Sequence, residues 1–176
     1  MTVSETPRKH RISVHLLSEG REPSETDYFR LTEEELAPLL VAGDGLALGT
    51  KTTELVRDES GLSLVLLWAK PNFALPRHSH SGDCLYYVVS GTVIMGSRTL
   101  RAGDSFFVAS NTRYQYAAGP EGAEVLEFRH GVDRIDMTCY GDPAAYRDKA
   151  AAVLEANRET WDGMTVSPTY EANARR

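Results

Sequence analysis

The chain reads as an all-β barrel with a short helix before it and a longer helix after it, and three observations carry that reading. From Leu46 to about residue 140, short apolar or alternating segments recur between Gly, Asn, Asp and Pro at the spacing of a sandwich or barrel. Ahead of them, Thr32-Glu33-Glu34-Glu35 has the form of a capping box, with Leu31 and Leu36 placed as a hydrophobic staple. Behind them, Asp142 suits an N-cap and Pro143 the first helical position, where a missing N–H costs nothing. This divides one compact domain into an N-terminal arm (1–45), a barrel (46–140) and a C-terminal helix with its tail (141–176).

The arm is polar apart from Ile12 to Leu17, and its capping box predicts a helix from about residue 33 that stops near Pro38 to Val41. Strands are expected at 51–57, 62–70, 74–80, 84–90, 92–95, 98–100, 105–109, 114–117 and 123–130. Turns fall at Asp58–Gly61, Ser81–Asp83, Gly96-Ser97, Gly103-Asp104 and Gly119–Gly122, all rich in residues that tolerate turn geometry. Trp68, Phe73, Tyr86, Tyr87, Phe106, Phe107, Tyr114, Tyr116 and Phe128 lie on these strands, and most are expected in the core. In the tail, Tyr146, Ala150, Val153, Leu154 and Trp161 share one helix face, and residues 162–176 read as irregular.

Lys and Arg total 19 against 25 Asp and Glu, a net charge of −6 with no long basic cluster, which argues against a nucleic-acid partner. Two cysteines, Cys84 and Cys139, make no disulfide framework. The N-terminus lacks the apolar stretch of a signal peptide, and no apolar run approaches the ~20 residues needed to span a bilayer. A cytoplasmic protein with reduced thiols and no membrane partner is the expectation.

His78-Ser79-His80 is the stretch that points to chemistry. Residues i and i+2 of a strand share a face, roughly 6.6 Å apart, so both imidazoles can reach one ion. The competing reading has one His capping a loop and the other packed in the core. Alternation puts Tyr86 and Val88 on the face of Cys84, which makes Tyr86 a pocket-lining residue. Glu127 and Arg129 also share a face and read as a surface or interface ion pair, while His130 reads as an exposed strand-end residue.

Pro71–Gly91 (PNFALPRHSHSGDCLYYVVSG) resembles the first of the two cupin motifs, and Gly103–Tyr114 (GDSFFVASNTRY) resembles the second. The likeness spans about residues 60 to 130 and implies a cupin-type jelly-roll barrel. Cupin ions are commonly held by two His and a Glu of motif one and a His of motif two. Here His78 and His80 match the imidazoles, Cys84 stands at the Glu position and Tyr114 at the last His. Asn72 and Asn111 replace motif glycines, a mild change because Asn tolerates left-handed backbone.

Three readings of the pocket follow. His78, His80 and Cys84 hold zinc, iron, manganese or nickel; His78, His80 and Asp83 form a facial triad for iron; or no metal binds. The resemblance implies a metal-dependent, dioxygenase-like enzyme acting on a small organic substrate, aromatic or polyketide-like, by oxygenation, isomerisation or cyclisation. Tyr114 would be its catalytic proton donor and a homodimer its assembly. The alternative is a metal-free cupin that binds a small molecule without turnover.

Overall fold

The computed structural model describes residues 13–21, 49–130 and 137–175, so the helix expected near residue 33 lies outside the described residues. Eight strands are described: β1 (Thr50–Arg57), β2 (Ser63–Ala69), β3 (His78–Ser79), β4 (Asp83–Met95), β5 (Arg98–Arg101), β6 (Ser105–Val108), β7 (Ala117–His130) and β8 (Thr138–Cys139). They are followed by helices α1 (Pro143–Asp162) and α2 (Pro168–Ala174). Antiparallel pairing runs in the order β1-β2-β7-β4-β5, with β6 also on β4, while β3 and β8 form a separate pair.

Period-2 alternation decides which face is inside. On β4, Cys84, Tyr86 and Val88 are buried, whereas Leu85 and Tyr87 are exposed. Residues directly opposite in the register share a face, so Val125, Glu127 and Arg129 of β7 join Val88, Tyr86 and Cys84 on the inner side. Val65 and Leu67 of β2 continue the same side opposite Glu127 and Val125. The core therefore grades from an apolar layer of Leu67, Ala69, Val88 and Val125 into a polar end at Glu127 and Arg129.

Four features depart from the sequence reading. The turn expected at Gly119–Gly122 is a bulge inside β7, across from Gly91 on β4, where the register shifts. Gly91 and Gly122 both have positive φ, and a Cβ on Gly91 would meet the Gly122 carbonyl oxygen at 2.1 Å, so the two backbones need that approach. Second, only His78–Ser79 of the segment 74–80 is strand. Pro76 has no N–H to give a ladder, and Ala74 makes an isolated bridge to Ala117. The expected strand at 114–117 is likewise reduced to the bridge between His78 and Tyr114, with β7 beginning at Ala117.

Third, the tail is not irregular, because Ser167 caps α2 through its side chain. Fourth, Tyr87, Phe107 and Phe128 lie on the outer face and are exposed, since both strand phases carry aromatics and only pairing selects the inner one. At the C-terminal helix the reading holds: Asp142 accepts from the Ala144 N–H, and Ala150, Leu154 and Trp161 of α1 are buried. The Trp161 indole donates to the Pro71 carbonyl, and Lys70 donates to the Trp161 carbonyl at the helix end. That clasp ties α1 to the turn leading into the His78 segment. No helix among the described residues is long and apolar enough to cross a membrane.

Candidate functional site

Backbone pairing brings the two histidines to the polar end of the barrel. The His78 N–H donates to the Tyr114 carbonyl and the Tyr114 N–H to the His78 carbonyl, both at 2.9 Å, while β8 covers the other side of the segment. Asn111 donates its N–H to the His80 carbonyl from a left-handed conformation (φ 59°), and Asn72 is also left-handed (φ 62°). Those are the positions where asparagine stands for a motif glycine, and they are the non-glycine residues at positive φ among the described residues.

The side chains form a continuous polar chain. His80 Nε2 lies 3.0 Å from the Tyr114 hydroxyl, which is hydrogen-bonded to the Tyr86 hydroxyl. The Tyr86 hydroxyl donates to Glu127 Oε1 at 2.7 Å, and Arg129 Nε donates to the same oxygen at 2.6 Å. Counting protons sets the direction. Each phenol has one proton, the carboxylate accepts that of Tyr86, and Tyr86 therefore accepts from Tyr114. Tyr114 is left to accept from His80, which places a proton on Nε2 of that ring.

The electrostatics agree with this order. Burial alone would raise Glu127, but the Arg129 and His80 charges and the hydrogen bonds from Tyr86 and Arg129 outweigh it and hold its carboxyl at about 2. Burial, then the Glu127 charge, push both Tyr86 and Tyr114 well above the usual phenol value, so both keep their protons. The same two causes push the Cys84 thiol up to about 12, and the thiol donates to the Gly82 carbonyl. His78 is lowered to about 4, chiefly by burial and then by His80, and stays neutral near neutrality. Its Nδ1 donates to the Pro76 carbonyl at 2.7 Å, which fixes the tautomer and leaves the Nε2 lone pair.

Motif one and motif two thus meet in register, His78 against Tyr114 and Cys84 against Val108, inside one antiparallel barrel. The fold is a cupin barrel. The chain is similar to solved structures of a KdgF from Halomonas sp. (23% identity, 48% of this chain and 82% of the other, TM-score 0.43) and an RmlC-like cupin from Shewanella frigidimarina (27%, 48% and 78%, TM-score 0.42). It is also similar to the polyketide cyclase RemF from Streptomyces resistomycificus (18%, 60% and 84%, TM-score 0.48). No protein-family model and no curated protein sequence matches it.

Among the residues singled out in the sequence, the fold brings His78, His80, Cys84, Tyr86 and Tyr114 to one end of the barrel. The rings of His78 and His80 lie 4.9 Å apart edge to face, and those of His78 and Tyr114 lie 4.3 Å apart. Asp83 is not with them: it is exposed, and its carboxylate accepts from the Ser110 N–H. Strand parity decides this, since the Ser81-Gly82 turn does not re-aim it. Glu127 and Arg129 pair as expected, yet they are enclosed rather than at a surface or interface. The signal was present, because Ala123 and Val125 occupy the same strand phase, but Leu126 and Phe128 make the opposite phase equally apolar.

Ligand atoms of His80, Cys84 and Glu127 lie within 4.8 Å of one another, near enough in principle to share an ion, and His78 is not of that group. The Arg129 guanidinium stands among them, bonded to Glu127 and with Nη2 3.4 Å from His80 Nε2. A divalent ion there would meet roughly 8 kcal/mol of repulsion from a guanidinium about 4 Å away at an effective dielectric near 20. With Arg129 in place, these residues do not fit a resident divalent ion.

Proposed function

We propose that this cupin is an enzyme that moves a proton beside a carbonyl group in a small organic molecule, an enolisation that leads to isomerisation or cyclisation. The observation that carries the reading is a neutral His78 ring packed against a phenol, Tyr114, that keeps its proton. His78 takes the C–H proton on Nε2, the Tyr114 hydroxyl turns from Tyr86 to the developing enolate oxygen, and His78 returns the proton at another carbon. His80 donates to the Tyr114 oxygen and fixes it, while Tyr86, Glu127 and Arg129 anchor the chain. The balance needs no oxidant and no further reactant. A resident divalent metal has no place in this reading, because the Arg129 guanidinium already neutralises Glu127.

The same reading takes a second copy of the chain as partner, seated on the outer sheet face where Leu85, Phe107 and Phe128 are exposed. Deuterium exchange in heavy water, followed by proton NMR over a panel of aromatic ketones and β-diketones, tests the chemistry. Wild type should exchange at least one of them, and Tyr114→Phe or His78→Gln should slow that exchange on the order of a hundredfold. A wild type that exchanges none, yet carries a small organic ligand in native mass spectrometry, is a binder without turnover.

A further inference from the structure

We infer that Arg129 is the resident cation of this barrel and that its guanidinium keeps divalent metal out of a latent His80–Cys84–Glu127 site. Three placements support this. Arg129 is 1% exposed on the inner face of β7, directly opposite Cys84 in the β4 register. Its Nε donates to Glu127 Oε1 and its Nη2 forms an ion pair with the same oxygen, so the one carboxylate of the group already has its counterion. Nη2 also lies 3.4 Å from His80 Nε2, so the same guanidinium faces the imidazole.

The side-chain type matters. A lysine in such a site can give up its proton and its charge, whereas a guanidinium stays charged at any pH the fold survives. An entering ion would have to displace the guanidinium from Glu127 and leave it enclosed without that counterion. Take the charge away and the donors are a nitrogen, a sulfur and an oxygen within 4.8 Å, a set that suits zinc or cobalt(II). The inference stands apart from the enolisation reading, since it concerns ion uptake and not turnover.

Cobalt(II) titration followed by visible absorption tests it, with zinc content measured in parallel. Wild type should develop no cobalt–thiolate charge-transfer band. Arg129→Met should take up one equivalent, develop the band, and bind cobalt tighter than wild type by on the order of a hundredfold or more. Adding Cys84→Ser to that variant should remove the band. A wild type that binds one equivalent with a band abolished by Cys84→Ser overturns the inference. So does an Arg129→Met protein, folded by circular dichroism, that binds no better than wild type. If Arg129→Met does not fold, Arg129→Gln replaces it under the same two criteria, and the wild-type titration alone can still refute the assignment.

Discussion

Glu127 is enclosed and yet ionised because one oxygen accepts from Tyr86 and Arg129 together. Its folded value near 2 lies below the ordinary 4.5, so its contribution is complete above about pH 4.5 and is lost as pH falls toward 2. His78 acts in a higher window. Burial depresses it from 6.5 to about 4, so stability is whole above about 6.5 and declines as pH falls through 4. Glu127→Gln should cost about 3–5 kcal/mol near neutral pH, since it leaves a guanidinium buried without its counterion. In urea unfolding at a series of pH values, the deficit of that variant should shrink by roughly 3 kcal/mol between about pH 4.5 and 2. A deficit constant across that range would mean Glu127 is not ionised in the fold. His78, His80, Cys84, Tyr86 and Tyr114 were legible as a group from motif spacing and alternation. Glu127 and Arg129 were legible only as a pair, because a strand apolar in both phases does not say which one is inside.

The last helix, α2, was not legible at all. Its seven residues begin at Pro168 behind the N-cap Ser167, the same kind of start that announces α1 at Asp142-Pro143. A segment that short does not hold a helix alone, since nucleation costs more than one turn of bonds returns. What holds it is Glu124, fully enclosed on the outer face of β7, whose carboxylate accepts from the Thr169 N–H, the Thr169 hydroxyl and the Ser90 hydroxyl. Glu124→Ala should therefore release α2 while α1 stays clasped by Trp161 and Lys70. Hydrogen exchange is the measurement: amides 170–174 should lose protection by roughly tenfold to a hundredfold, and those of α1 should not change. Equal loss in both helices would show that the tail is one cooperative unit.

Across the whole sheet, one row of directly paired residues runs Phe107, Leu85, Phe128, Leu64 and Val56 over five strands, on the face turned away from the core. Phe107 is 61% exposed, the most of any large apolar residue on the barrel strands. An exposed apolar row of this kind is a surface that a two-fold axis can set against its own copy. Wild type should sediment at twice the chain mass, and Leu85→Lys with Phe107→Lys should sediment at the chain mass with its circular dichroism unchanged. A monomeric wild type would remove the second copy from the functional reading. The residue string was enough for the antiparallel barrel, the helix at Asp142, the left-handed asparagines and the shared strand face of Cys84 and Tyr86. The helix and the shared face follow from spacing along the chain, and the barrel and the asparagine positions also from the resemblance to the two motifs. Which strand phase closes around the site, and that a guanidinium sits among the metal-capable donors, was settled only when β7 paired with β4. Partners forty-odd residues apart leave no local trace of which of their faces will meet.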